Sequence, residues 1–221
     1  MFDSIARRYD LLNSLMSLGL HRVWRRKAVA VLLARGGRDF LDIGCGTGDV
    51  AIAVLRKAPA ARITGIDLSA PMLDIAMAKT RAAGLETRAI YQVGDATALA
   101  FADGSFDGII SAFCLRNVVD HGKAFAEMRR VLRPGGTLAI LELTRPTGRV
   151  AGVVHRIHTR RMIPLLGALL SQGDAYRYLA QSIDNFPLSP EIVRGLSQAG
   201  FTEARHQPLT AGFVTLFSGS C

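Results

Sequence analysis

The chain has 221 residues, enough for one well-buried domain, and its 49% hydrophobic and 20% charged residues are typical of a globular protein. Its net charge of +9 suits nucleic acid or an anionic membrane surface, and composition alone does not choose between these partners. The three widely separated cysteines exclude a disulfide framework, no apolar run is long enough to span a bilayer, and the charged opening residues are unlike a signal peptide.

Apolar residues at helical spacing predict two helices ahead of the core, over residues 2–18 and from 21 to about 33. We place the basic residues of the second helix together on its other face; they are Arg22, Arg25, Arg26 and Lys27. Such a cluster is typical of a solvated helix face, and beside apolar residues it also fits a basic patch at a membrane surface.

The stretch from Leu41 to Asp49, LDIGCGTGD, predicts a strand, a tight glycine turn and a helix in immediate succession. Glycine permits positive φ and lets a ligand approach the backbone, and the start of a helix offers free N–H groups to that ligand. The G-x-G-x-G spacing differs from the G-x-G-x-x-G of dinucleotide folds. Asp42 would repel a pyrophosphate but suits an ammonium group, so we expect Asp42, Gly44, Gly46 and Gly48 to bind a cofactor.

Two further acidic residues follow the next strands. Asp67, with Leu68 beside it, ends the second strand at the position where doubly wound proteins hold a ribose diol. Asp95 follows the third strand and can accept a hydrogen bond from an adenine amine; an aspartate there can also cap a turn, but the two other acidic positions favour the adenine role. A ligand with a ribose, a cationic amino-acid end and no phosphate matches this set, which indicates S-adenosyl-L-methionine.

Strands and helices alternate along the rest of the chain. The predicted strands are 40–43, 62–66, 87–93, 108–113, 137–143, 201–206 and 213–218. This alternation predicts an α/β fold with a Rossmann-like, doubly wound, mostly parallel seven-stranded sheet, which binds ligands at the carboxyl ends of its strands. We expect a single domain over 1–221, with N-terminal helices (1–37), a cofactor-binding core (38–147), a helical lid (148–187), and a final helix and strands (188–221).

Blocks from the whole chain carry a resemblance to a known family. They are MFDSIARRYDLLNSLMSLGLHRVWRR, LDIGCGTGD, GDATALAF, SFDGIISAFCLRNVVD, RVLRPGG, AYRYLAQSI and LTAGFVTLFSG. Together they resemble the C-methyltransferases of ubiquinone and menaquinone biosynthesis. The glycine turn is common to most class I S-adenosylmethionine methyltransferases, whereas the opening block and the FCLRN block are more specific. The resemblance implies methylation of a ring carbon in a polyprenylated quinol, such as demethylmenaquinol or the benzoquinol of the ubiquinone pathway.

The resemblance also implies which residues contact the cofactor; they are Thr47, Asp67, Asp95 and Ala96. A further cofactor position falls on Ala112, where relatives often have serine, so a hydroxyl contact is lost or comes from a neighbour. The chain also departs from its relatives at Cys114, where glycine is usual, and at Ala100, where proline is usual.

Three residues are implied to lie near the quinol: Arg116, Asn117 and Tyr9. We assign Arg116 to stabilising the quinolate, with Asn117 and Tyr9 orienting water and the ring. A guanidinium is a poor proton acceptor, so the base is sought elsewhere. Asp10 and His21 are secondary candidates, because a helix salt bridge and a helix-start residue explain them better.

A polyprenyl tail resides in a bilayer, so we expect a cytoplasmic enzyme in peripheral contact with the inner face of the membrane. We expect no nucleic-acid partner. The sequence does not decide between a monomer and a homodimer. Three rival functions remain at this stage. They are a small-molecule C- or O-methyltransferase, an RNA-binding methyltransferase, and a cofactor-binding scaffold without catalysis.

Overall fold

The computed structural model describes residues 17, 19–146, 148 and 173–221, with side-chain surroundings from residue 178 onward in the last range. The predicted helix over 2–18, the site candidates Tyr9 and Asp10, and most of the predicted lid therefore lie outside the described residues.

The described chain alternates helices and strands. The helices are α1 (His21–Leu32), α2 (Asp49–Lys57), α3 (Ala70–Ala82), α4 (His121–Val131), α5 (Gly173–Asn185) and α6 (Ser189–Gln198). The strands are β1 (Asp39–Ile43), β2 (Arg62–Asp67), β3 (Ala89–Val93), β4 (Phe106–Ala112), β5 (Leu132–Leu143), β6 (Thr202–Leu209) and β7 (Val214–Ser220).

All seven strands form one sheet in the order β3-β2-β1-β4-β5-β7-β6. Strands β1 to β5 pair in parallel, whereas β7 runs antiparallel to both of its neighbours, β5 and β6. This arrangement confirms the predicted doubly wound, mostly parallel α/β fold. The chain runs from β1 outward to β2 and β3 on one side, and then returns to β4 on the other side of β1. A ligand crevice is expected at such a switch point, at the carboxyl end of β1.

The sheet has an apolar core on each face, because helices cover both sides. Phe40 of β1 packs with Trp24 and Leu32 of α1 and with residues of α2 on one face. Leu41, the next residue, packs on the opposite face with Phe125 of α4 and the residues of α6. β1 and β4 are accordingly buried along almost their whole length, as strands covered on both faces are.

The predicted strand boundaries differ most from the structure at β5 and β6, and β6 ends at Leu209 rather than 206. β5 begins at Leu132 rather than 137, because Leu132 already pairs with Phe106 before a register shift leads to the pairing of Gly108 with Thr137. Ser69 stands at the N-cap position of α3, but its side chain makes no capping hydrogen bond. Its backbone N–H instead donates to the Asp67 carboxylate at 3.0 Å. Within residues 19–146 and 173–221, none of the helices is long and apolar enough to cross a membrane.

Candidate functional site

The glycine turn joins β1 to α2 at the carboxyl edge of the sheet. Gly44, Gly46 and Gly48 have φ of 68°, 52° and 81°, the left-handed region that only glycine adopts readily. The N–H groups of Gly44 and Cys45 donate to the Ile66 carbonyl at 2.8 and 2.9 Å, which ties the turn to the end of β2. The sequence pattern therefore forms the strand–turn–helix unit that it predicts.

The three glycines face different surroundings. A Cβ on Gly44 would overlap the Cys114 side chain, lying only 2.5 Å from its Cβ, and a Cβ on Gly48 would lie 3.0 Å from Ala76 and from the Tyr91 hydroxyl. A Cβ on Gly46 would meet nothing within 4 Å. Packing therefore accounts for two glycines, whereas Gly46 faces open space that a ligand can enter.

Asp67 stands directly beside this open turn. One carboxylate oxygen accepts from the Gly46 N–H at 2.9 Å and the other from the Ser69 N–H at 3.0 Å. The side chain is half-buried, and Leu68 next to it exposes 73% of its surface. A fixed carboxylate beside an exposed apolar side chain can receive a ribose diol and the face of an adenine ring.

Asp42 is buried beneath the turn, with 1% of its surface exposed. Neither of its carboxylate oxygens has a hydrogen-bond partner among the described residues; the Ala51 N–H lowers its pKa without reaching hydrogen-bond geometry. Burial raises the pKa of Asp42 to about 7, against the opposing charge of Arg25. A buried acid with unused acceptors fits a ligand that brings its own cationic donor.

Asp95 is exposed and forms a local turn. Its Oδ1 accepts from the Thr97 N–H at 2.8 Å and from the Thr97 hydroxyl at 2.9 Å, and these bonds hold the pKa of Asp95 below its usual value. Both hydrogen bonds of the turn end on Oδ1, so Oδ2 is left to accept from an adenine amine. The geometry is therefore compatible with the turn role and with the adenine role. Ala96 beside it is buried.

Ala112 ends β4, next to β1. The neighbouring Ser111 does not replace the hydroxyl that relatives have at position 112, because its own hydroxyl donates to the Ile43 carbonyl at 2.8 Å and is buried.

Helix α1 contributes one side chain that was predicted wrongly. Arg25 does not share the solvent face of Arg22 and Arg26; it turns inward, where its Nη1 lies 2.5 Å from Asp49 Oδ2. Lys79 of α3 also pairs with Asp49 and donates to Thr47 Oγ1 at 3.2 Å. Burial acts to raise the pKa of Asp49, but the two cations hold it below its ordinary value.

The segment after β4 carries the predicted catalytic residues. Phe113 has a φ of 61°, unusual for a bulky residue, and its ring contacts Trp24 edge-on at 6.3 Å between centroids. Arg116 Nη1 donates to Glu142 Oε1 at 2.7 Å and to the Phe113 carbonyl at 2.6 Å, and the Arg116 N–H donates to Glu142 Oε2 at 3.0 Å.

Glu142 is the residue that sequence reasoning missed. It lies near the end of β5, is completely buried, and also accepts from the Leu143 N–H at 2.8 Å. A glutamate in the apolar run LAILEL was the available signal, because glutamate is rarely fully buried without a partner.

The two remaining catalytic candidates in the described chain, Asn117 and His21, make different kinds of contact. Asn117 Oδ1 accepts from the Tyr178 hydroxyl of α5 at 3.1 Å, which connects the segment after β4 to that helix. His21 is buried at the start of α1, where its Nδ1 lies 2.7 Å from the Ser17 hydroxyl. This favours the helix-start interpretation of His21 over a role as base.

Comparison with known proteins decides the family. A family model described as the ubiE/COQ5 methyltransferase family matches residues 1–220. The chain belongs to the ubiE/COQ5 methyltransferase family. It is 43% identical over 220 residues to a demethylmenaquinone methyltransferase of Thermus thermophilus, covering 99% of each protein. It is 42% identical to a ubiquinone/menaquinone biosynthesis C-methyltransferase UbiE of Syntrophotalea carbinolica, covering 99% of this chain and 92% of the relative.

Solved structures with low identity share the fold of this methyltransferase. The [4+2]-cyclase SpnF superposes with a TM-score of 0.67 at 22% identity, covering 92% of this chain and 81% of the cyclase. A Haemonchus contortus phosphoethanolamine N-methyltransferase 2 in complex with S-adenosyl-L-methionine has a TM-score of 0.67 at 18% identity, covering 88% and 52% of the two chains.

The cofactor of this methyltransferase is S-adenosyl-L-methionine. The residues around the turn fit it on their own geometry: Gly46 leaves open space, Asp67 presents a fixed carboxylate at the end of β2, and Asp42 holds two unused buried acceptors. An adenosine with a cationic amino-acid end satisfies each of these features.

Proposed function

We propose that this protein transfers a methyl group from S-adenosyl-L-methionine to a ring carbon of a polyprenylated quinol. The substrates are demethylmenaquinol, the benzoquinol of the ubiquinone pathway, or both. The relatives named above support the quinone pathway, since one is a demethylmenaquinone methyltransferase and the other a ubiquinone/menaquinone biosynthesis C-methyltransferase.

The observation that carries the proposal is the buried pair of Arg116 and Glu142 beside the glycine turn. Their side chains expose only 7% and 0% of their surface. The segment that holds Arg116 also packs Cys114 against Gly44 of the turn. A fixed guanidinium is therefore available within the same edge of the sheet that binds the methyl donor.

A cation in this position suits the chemistry of ring methylation. When bound, S-adenosyl-L-methionine supplies an electrophilic methyl group on a sulfonium. The quinol carbon becomes nucleophilic when a neighbouring hydroxyl gives up its proton, directly to a base or through an ordered water. The negative charge that then develops on the quinol oxygen is stabilised by Arg116, which needs no rearrangement because its position is already set.

Glu142 serves this arrangement by holding Arg116. Both of its oxygens already accept hydrogen bonds, from the Arg116 side chain, the Arg116 N–H and the Leu143 N–H. Asn117 and Tyr9 complete the proposed set by orienting water and the ring. The Asn117–Tyr178 hydrogen bond supports a fixed position for the Asn117 amide.

The tail of the substrate implies contact with a membrane surface. Arg22, Arg26 and Lys27 on α1 are exposed, and Leu20 and Val23 expose 40% and 39% of their surface nearby. A basic and apolar helix face supports peripheral binding to anionic lipid. Flotation with vesicles that contain anionic lipid tests this, and recovery of all the protein in the soluble fraction would contradict it.

The decisive experiment compares Arg116→Ala with Arg194→Ala, a matched change at an arginine whose side chain exposes 70% of its surface. Turnover of demethylmenaquinol should fall at least about 100-fold in Arg116→Ala, as on removal of one transition-state donor. Calorimetry should show unchanged affinity for S-adenosyl-L-methionine. Because Arg116→Ala leaves Glu142 buried without its partner, the double change Arg116→Ala/Glu142→Ala provides a second, charge-balanced variant. Retained turnover in either variant would remove Arg116 from the mechanism.

The identity of the ring follows from a separate measurement. Purified protein is given demethylmenaquinol, the ubiquinone-pathway benzoquinol and an unrelated phenol in parallel, and products are identified by mass spectrometry. Methylation of the phenol alone would overturn the proposal in favour of a small-molecule methyltransferase.

A further inference from the structure

Two side chains beside the glycine turn hold buried polar atoms without hydrogen-bond partners in the described chain. They are both carboxylate oxygens of Asp42 and the Nε of Arg25. Asp42 is 1% exposed, and the Arg25 side chain is 13% exposed. An unsatisfied buried polar group is destabilising, so each of these atoms calls for an explanation.

The two groups carry opposite charge but do not pair with each other. The guanidinium of Arg25 is instead directed to Asp49, with Nη1 at 2.5 Å from Oδ2. Its charge still acts on Asp42, where it opposes the rise in pKa that burial causes. Arg25 and Asp42 therefore lie close enough for their charges to interact, although no hydrogen bond joins them in the described chain.

The surrounding charges leave the Arg25 guanidinium able to bind an anionic group of a ligand. Asp49 is paired with two cations, Arg25 and Lys79, so Lys79 alone is sufficient to balance it. With Asp42 ionised, the two acids and the two cations have no net charge. A ligand end that is neutral overall but carries a separate cation and anion would complement this group without unbalancing it.

We propose that Arg25 binds the α-carboxylate of S-adenosyl-L-methionine while Asp42 receives its α-ammonium. The buried Nε of Arg25 is the donor for the carboxylate, and the unused oxygens of Asp42 are the acceptors for the ammonium. This assigns a cofactor-binding role to a residue of α1, outside the glycine turn. It depends on the methyl donor and not on the quinol.

The test uses a ligand that lacks only the group in question. Decarboxylated S-adenosylmethionine keeps the adenosine, the sulfonium and the amino group but has no carboxylate. Binding of both ligands is measured by calorimetry, in the absence of quinol, to the native protein, Arg25→Gln and Arg26→Gln. Arg26 is exposed and adjacent on the same helix, so it is the matched control.

The native protein should bind S-adenosyl-L-methionine about 10- to 100-fold more tightly than the decarboxylated ligand, as expected for a hydrogen bond between charged groups. Arg25→Gln should lose most of this preference, while its affinity for the decarboxylated ligand changes by less than about threefold. Arg26→Gln should behave as the native protein does.

Other results would overturn the assignment. Equal weakening of both ligands in Arg25→Gln would mean that Arg25 acts only by holding α1 against Asp49. An unchanged preference, or no preference in the native protein, would mean that another group binds the carboxylate. Should Arg25→Gln fail to fold, Arg25→Lys retains the cation at Asp49, and its preference for the carboxylated ligand should still be reduced because it lacks the Nε donor. A full preference in Arg25→Lys counts against the proposal.

Discussion

Replacing Asp42 by asparagine should make the ligand-free protein more stable and the cofactor complex weaker. Burial raises the pKa of this carboxyl from 3.8 to about 7. At 1.36 kcal/mol for each pH unit, keeping Asp42 ionised above pH 7 costs about 4 kcal/mol. Asparagine has nearly the same size and no charge, but its amide is buried without partners, which reduces the expected gain to about 2–3 kcal/mol.

The direction of the stability difference follows from how the free energy of unfolding depends on pH. Between pH 3.8 and about 7 the unfolded chain has released the Asp42 proton and the folded protein has kept it. The folded state therefore binds more protons, and its stability falls as the pH rises through this window. The asparagine variant lacks this contribution, so its advantage over the native protein should grow with pH and level off above about 7.

The assay is urea unfolding of both proteins without ligand, at about pH 5 and about pH 8, where the Asp42 contribution to the stability difference changes. Calorimetry in parallel should show affinity for S-adenosyl-L-methionine reduced by about 10- to 100-fold in Asp42→Asn, because a charge-assisted bond to the ammonium is lost. A variant that is less stable than the native protein at about pH 8, or an advantage that does not depend on pH, would refute the reasoning about the buried acid.

Three further predictions concern the glycine turn and Glu142. Gly44→Ala should destabilise the protein by about 3 kcal/mol or more in thermal unfolding, because its Cβ overlaps Cys114, and adding Cys114→Gly should recover part of the loss. Gly46→Ala should lose only about 1 kcal/mol of stability but bind S-adenosyl-L-methionine poorly, and equal losses of stability in both alanine variants would contradict the packing argument. Glu142→Gln should lower turnover about tenfold or more with unchanged cofactor affinity, since Arg116 is no longer held by a carboxylate; normal turnover would show that Arg116 needs no such support.

The sequence predicts this fold well because its strongest signals are local. The apolar run ending in Ile43, the glycines of the turn and the helix pattern after Asp49 lie within a few residues of each other, and hydrophobic periodicity is enough to order them. The same holds for the alternation that gives seven strands. The positions of Asp42 and Asp67 at adjacent strand ends follow from that order.

Contacts between distant parts of the chain could not be predicted in the same way. Arg25 has the helical spacing of a solvent-facing residue, and only the position of Asp49 in the folded protein explains why it turns inward. The pairing of Arg116 with Glu142 joins residues 26 apart on separate strand ends. Helix and strand periodicity specifies which face a residue occupies, but not which charged group on another element stands opposite it.

Strand β7 lies inside the sheet, between β5 and β6, and within the part of the chain that the structure describes β6 pairs only with β7. Although β6 precedes β7 in the chain, it is connected to the rest of the sheet through β7, with which it forms an antiparallel hairpin. The pairing of Ile140 with Phe217 spans a long stretch of sequence, so this edge closes by a slow, non-local step. Because β6 depends on β7 for its place in the sheet, β6 is the strand of this edge that we expect to detach first under mild denaturation.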